Sequence, residues 1–140
     1  MRLWHQSLIP YLPRQQLLGQ HRECCALRGK GWGRRHSVVN YVFEHSPARL
    51  VAYHYLVMNE MQARGYNPNK IWYDVDYRGS TLGDETLWCD SATMLGFLSA
   101  AENHNYMIYP EHDDKYLQEC IDNLKEKGIE IKFKEEKLRV

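Results

Sequence analysis

Three stretches of this chain open on a helix-starting residue, repeat apolar side chains every three or four positions, and close on glycine. The first runs from Pro13 to Arg28 and stops at Gly29. The second starts at Ser46 and Pro47 and ends at Gly65, and the third runs from Asp113 or Asp114 to Lys127 and ends at Gly128. Proline is pre-set for the first helical residue and glycine accepts the turn that ends a helix, so this punctuation leaves little room for a sheet. Inside the stretches, Leu17, Leu18, Cys24, Cys25 and Leu27, then Leu50, His54, Val57 and Met61, then Leu117, Ile121 and Leu124 keep the helical period. A chain of 140 residues fits one core. The expectation is a mainly α, compact single helical domain over residues 1–128, followed by a charged tail, 129–140.

The remaining segments are less regular. Ser37 to His45 reads as a short helix, although Val38, Val39, Tyr41, Val42 and Phe43 would also suit a strand. Tyr66 to Gly79 reads as an ordered loop packed by Trp72, Tyr73 and Tyr77. Asp90 or Ser91 caps a helix reaching Ala101, with Met94, Leu95 and Leu98 facing inward. Ile129, Ile131 and Phe133 alternate, which allows a short C-terminal edge strand. No apolar run approaches the roughly 20 residues of a membrane span, and Pro10 and Pro13 break any signal-like region, so the expected location is the cytoplasm. The four cysteines lack CxxC spacing, His54 sits in an apolar stripe without a ligand at metal-binding spacing, and neither metal nor cofactor is called for.

Net charge is zero, yet Arg2, Arg14, Arg22, Arg28, Lys30, Arg34 and Arg35 face Glu23 alone within the first 36 residues. That asymmetry can focus positive potential on one surface and suits a polyanion, and a solvated charged face is the plain alternative. Gly29 to His36, GKGWGRRH, would let backbone amides approach phosphate while Lys30, Arg34 and Arg35 supply charge. Trp32 either stacks on or wedges between bases, or tucks into the core. On the first helix, Gln16, Gly19, Gln20 and Glu23 share a polar face with a gap at Gly19. A terminal α-amine, with a reference pKa of about 7.7 to 8.0, is a nucleophile near neutral pH. Brought beside Glu23, Arg2 and Arg22, the amine of Met1 would complete a set of nucleophile, base and anion clamp.

The opening MRLWH, the helix RQQLLGQHRECC, and NEMQARGYN followed by YRG resemble the phage-type endonuclease V family, the pyrimidine dimer DNA glycosylases and AP lyases. The similarity covers residues 1–79, with a weaker echo from Tyr106 to Lys127. It implies a helical domain whose N-terminal segment packs between helices, catalysis by the terminal amine with Glu23, and double-stranded DNA with a damaged or abasic site as partner. Arg2 and Arg22 match the family's arginines, and His21, Arg28, Lys30, Trp32, Arg34 and Arg35 join them as expected DNA contacts. Because Arg2 follows Met1 and is too large for ordinary methionine removal, Met1 itself is expected to be terminal. Ala26 stands where the family has a further arginine, with Arg28 as a displaced substitute. Segment 80–105 reads as an insertion. No membrane and no obligate protein partner is implied. A noncatalytic nucleic-acid-binding module of the same fold, or a small protein-interaction domain using the ten tyrosines, are the competing expectations.

Overall fold

The computed structural model describes residues 2–133. Four α-helices lie among them: α1 (Arg14–Arg28), α2 (Pro47–Ala63), α3 (Ser91–His104) and α4 (Asp114–Glu126). Short 3-10 helices at Gln6–Tyr11, Asn40–Glu44 and Lys70–Tyr73 connect them. Helix α2 is the centre, since α1 and α3 both pack on it and the Gln6–Tyr11 turn crosses it. Leu50, Val51, Tyr53, Val57 and Met58 are fully buried along it. Each such side chain contributes about 1.5–3 kcal/mol by leaving water, and that burial, more than helix propensity, holds the elements together.

Local chemistry sets the boundaries. The Ser46 hydroxyl accepts from the Ala48 amide at 3.0 Å with Pro47 in the first turn, and Gly65 follows the helix at a φ of +86°. Asp90 and Asp113 accept from the Thr93 and Tyr116 amides at 3.1 and 2.8 Å and start α3 and α4. A carboxylate at such a position satisfies an amide with no partner in the first turn. Pro13 precedes α1 without a side-chain cap, and Gly29 closes it by donating to the Cys25 and Ala26 carbonyls.

Glycines 29 and 31 serve packing. A Cβ at Gly29 would lie 2.9 Å from the Arg78 carbonyl oxygen, and one at Gly31 would lie 2.7 Å from that of Ala26. The loop is therefore pressed against the end of α1 and the residue 78 turn, so these two glycines are fixed by protein backbone before any phosphate is considered.

Three expectations are corrected. Ser37 to His45 is a turn followed by the 3-10 helix Asn40–Glu44, with only Val39 and Val42 fully buried and Tyr41 and Phe43 packed at the edge of the core. Leu95 is 55% exposed, since α3 meets the core through Met94, Leu98 and Ala101 on one narrow face. Ile129 to Phe133 carries no strand: Ile129 and Ile131 pack as partly buried side chains and Phe133 meets the edge of Tyr11. The rest of the tail lies outside the described residues. Among the described residues no helix is long and apolar enough to cross a membrane.

Replacing the cap in Ser46→Ala removes the hydroxyl that holds the first turn of the central helix. The expected cost is about 1 kcal/mol of unfolding free energy, measured as a lower urea midpoint at unchanged slope.

Candidate functional site

The segment before α1 has no secondary structure of its own over residues 2–5, yet Leu3, Trp4 and His5 are buried. Its backbone amides and carbonyls therefore need side-chain partners. Gln20, 1% exposed on α1, supplies two: its Oε1 accepts from the Trp4 amide at 2.6 Å and its Nε2 donates to the Arg2 carbonyl at 3.0 Å. From α2, the Tyr53 hydroxyl lies 2.6 Å from the Trp4 carbonyl, and from α4 the Tyr116 hydroxyl donates to the Leu3 carbonyl. His112 Nδ1 accepts from the Gln6 amide at 3.0 Å, and the Gln6 side chain binds the Ile108 amide and the Tyr106 carbonyl. Three helices and the turn before α4 thus grip the main chain of residues 2–6.

This seating opens a cleft of about 430 Å³ between the N-terminal segment, α1 and the end of α4. Arg2, Trp4, Gly19, Gln20 and Glu23 line it, with Asn123 arriving from α4 and Lys127 from the position that closes α4. Glu23 is half-buried, and its Oε2 is buried without a hydrogen-bond partner among the described residues. A buried oxygen left without a donor costs about 1–3 kcal/mol, more when charged. A Cβ on Gly19 would meet only Arg22 Nη2, at 3.8 Å, so this glycine keeps the cleft floor open. The Arg2 guanidinium lies 5.7 Å from the ring centres of both Trp4 and Tyr116 and 4.0 Å from the Glu119 carboxylate, which fixes it as a wall.

A larger groove, about 560 Å³, runs between the Gln6–Tyr11 turn, α2 and α3. Its lining is mostly apolar, and its acid, Glu60, is already paired with Arg64 at 2.7 Å. It offers a surface without reactive chemistry, and the smaller cleft is the candidate site.

The expected DNA contacts separate into two groups. Arg22, Lys30, Arg34 and Arg35 are exposed, Arg35 in a 3.7 Å surface pair with Glu44. Trp32 is half-buried, set edge-on against Phe43 and Trp88 at 5.1 and 5.5 Å. Arg28 must be corrected: it is 0% exposed, and its guanidinium donates to the Trp72, Asp74 and Tyr77 carbonyls at 2.7, 2.7 and 3.0 Å. Its remaining Nη1 hydrogen reaches His54 Nδ1 at 3.1 Å. With no route to the surface it ties the residue 72–77 loop to α1 and cannot hold a phosphate. His21 turns toward α2, off the lining of the cleft, and pairs with His54 across 2.8 Å while staying half-exposed. Burial, followed by the Arg22 and Arg28 charges, lowers its tendency to protonate. Met1 lies outside the described residues.

Trp4, Asn123 and Lys127 were missed from sequence. Only the faint resemblance over Tyr106 to Lys127 hinted that α4 reaches the site, because nothing local in a helix records which cleft its last turn will close.

The family model for pyrimidine dimer DNA glycosylases matches residues 1–74, which hold the N-terminal segment, α1 and α2. No curated protein and no solved structure matches the chain. If Gln20 seats the N-terminal segment, Gln20→Leu strands a buried amide and a buried carbonyl at once. Unfolding in urea is expected to show a loss of about 1–3 kcal/mol for each.

Proposed function

Because the chain belongs to the pyrimidine dimer DNA glycosylase family, we propose that it excises damaged bases from duplex DNA and cleaves the strand at the resulting abasic site, with the Met1 α-amine as nucleophile and Glu23 as its partner. One observation carries this reading: Arg2, the residue to which Met1 is bonded, and Glu23, whose buried oxygen has no partner among the described residues, line the same cleft. The amine attacks C1′ of the damaged nucleotide as the base leaves with the glycosidic electron pair and takes up the proton that the attacking nitrogen loses. The nitrogen lone pair then expels O4′, which is protonated as the sugar ring opens to an iminium. The resulting iminium acidifies the adjacent sugar proton. Glu23 removes that proton, the 3′ C–O bond breaks with loss of the phosphate, and water hydrolyses the imine to free the amine.

The chain's own groups serve each demand. Glu23 stabilises the cationic sugar and moves protons, work for which a positioned carboxylate contributes about 10² to 10⁴-fold. Arg2, with Arg22 close to Gly19 on the same helix, gives the cleft a positive wall that disfavours protonation of a nearby amine. Exposed Lys30, Arg34 and Arg35 extend this charge along the surface and suit the phosphate backbone. The target nucleotide must leave the base stack to reach a cleft of this size, and the loop that carries Trp32 lies on the basic side where the duplex would be distorted. Segment 80–105 begins after the matched residues end, which supports its reading as an addition to the family frame. A cytoplasmic place fits a DNA substrate and four free cysteines.

Borohydride is expected to trap a covalent adduct between the protein and abasic duplex, and a short N-terminal extension is expected to abolish both adduct and cleavage while leaving affinity intact. Cleavage without any trappable adduct would remove the amine from the mechanism. Glu23→Gln should keep DNA affinity and lose about 10² to 10⁴-fold in single-turnover rate; binding without cleavage in the unmodified protein would instead identify a noncatalytic module.

The exposed arginines make a separate prediction. Replacing Arg34 and Arg35 with glutamine should flatten the dependence of log affinity on log salt by about 0.9 for each phosphate that is no longer neutralised, measured by fluorescence anisotropy.

A further inference from the structure

Helix α1 carries a second group of reactive side chains on the face it turns to α2, away from the cleft. Among the described residues, His21, Cys25 and His54 bring one donor atom each within 4.8 Å of one another. His21 Nδ1 and His54 Nε2 are 2.8 Å apart, and Cys25 Sγ is 3.9 Å from both. A triangle with those sides has a centre about 2.1 Å from all three atoms, within the range of metal–nitrogen and metal–sulfur bonds, roughly 2.0–2.3 Å. Cys25 and His21 are half-buried, and Cys25 also lines a shallow cleft of about 280 Å³ beside Gly29 and Trp72, which supplies an entry path. The His21 and Cys25 side chains stack one turn apart on α1, and packing of α2 on α1 delivers His54.

We propose that His21, Cys25 and His54 form a three-coordinate site for a soft monovalent transition-metal ion, Cu(I). The choice of ion follows from Arg28. In the metal-free protein its Nη1 donates to His54 Nδ1, so His54 carries its ring proton on Nε2 and donates it to His21. On binding, Cys25 gives up its thiol proton to solvent and the His54 ring proton moves from Nε2 to Nδ1. Arg28 gives up that contact and keeps its three carbonyls. One positive charge enters and one leaves, so the net charge beside the buried guanidinium is unchanged, and the His54 Nδ1–H comes to face Arg28 Nη1 across what is now 3.1 Å. A divalent ion such as Zn(II) would leave a net positive charge a few ångströms from Arg28 in a poorly solvated place, where repulsion is weakly screened. A thiolate with two imidazoles is also a donor set that soft ions favour.

The site lies on the opposite side of α1 from Glu23 and stands or falls separately from the glycosylase reading. The full-length protein, reduced and free of oxygen, would be titrated with Cu(I) against a chromogenic Cu(I) chelator. One equivalent should bind, and Cys25→Ser and His21→Gln should each weaken it about tenfold or more, while Cys89→Ser should leave it unchanged. Circular dichroism identifies any variant that fails to fold, and His21→Gln, at a half-exposed position, decides the matter if Cys25→Ser does so. Equal uptake by wild type and both folded variants, or tighter binding of Zn(II) than of Cu(I), would overturn the assignment.

Discussion

One side-chain amide sets the geometry on which the cleft depends. Gln20 accepts from Trp4 and donates to Arg2 in the same small volume, so it reads the backbone of the N-terminal segment in register, as a neighbouring strand would. A segment without helix or sheet cannot pair its buried amides and carbonyls within itself and needs partners from outside. Tyr53, Tyr116 and His112 complete the hold from α2, α4 and the turn before it. Without this grip Arg2 would not be part of a wall and Glu23 would face open solvent. Much of the polar interior therefore serves to place main chain, at a cost that a purely apolar core would not bear.

Much of the fold was legible because the signals are local. Ser46, Asp90 and Asp113 cap the helices that their sequence positions announce, and Gly29, Gly65 and Gly128 end theirs. Glu23 and Gly19 were legible as a shared face, since four-residue spacing places them there whatever else packs nearby. Arg28 was not. A count of charges treats every arginine as a surface residue, and the acceptors that draw this one inward are carbonyls more than forty positions away, which no side-chain pattern encodes. The His21, Cys25 and His54 group failed for a related reason: half of it is a helical repeat, and the other half exists only once α1 meets α2. Leu95 shows the opposite error, an apolar residue with helical spacing on a helix that packs chiefly against α2.

Arg28 also shows how a cation can be kept inside without an acid. Three carbonyls and one imidazole nitrogen share its charge, and the residue 72–77 loop takes its curvature from aiming those carbonyls at one point. Desolvation opposes the charged form, and the carbonyl dipoles offset that cost only while the loop stays in place. The positive interior in turn keeps His54 neutral, after burial as the larger cause. Helix α1 is thus electrically divided, with a carboxylate toward the cleft and neutral donors beside a guanidinium toward α2.

The loop from Gly29 to His36 is held at both ends of its tryptophan. Phe43 and Trp88 meet Trp32 edge-on, Arg78 lies over Trp88 at 4.6 Å, and Arg78 also donates to the Arg28 and Gly29 carbonyls. Trp88 belongs to the stretch after residue 74, outside the part of the chain that matches the family. The cations beside Trp32 are consequently carried on a backbone whose conformational freedom is surrendered during folding, not at the moment of encounter. A surface ordered in advance loses less entropy when it meets a partner, and here the ordering is provided in part by residues outside the stretch that matches the family.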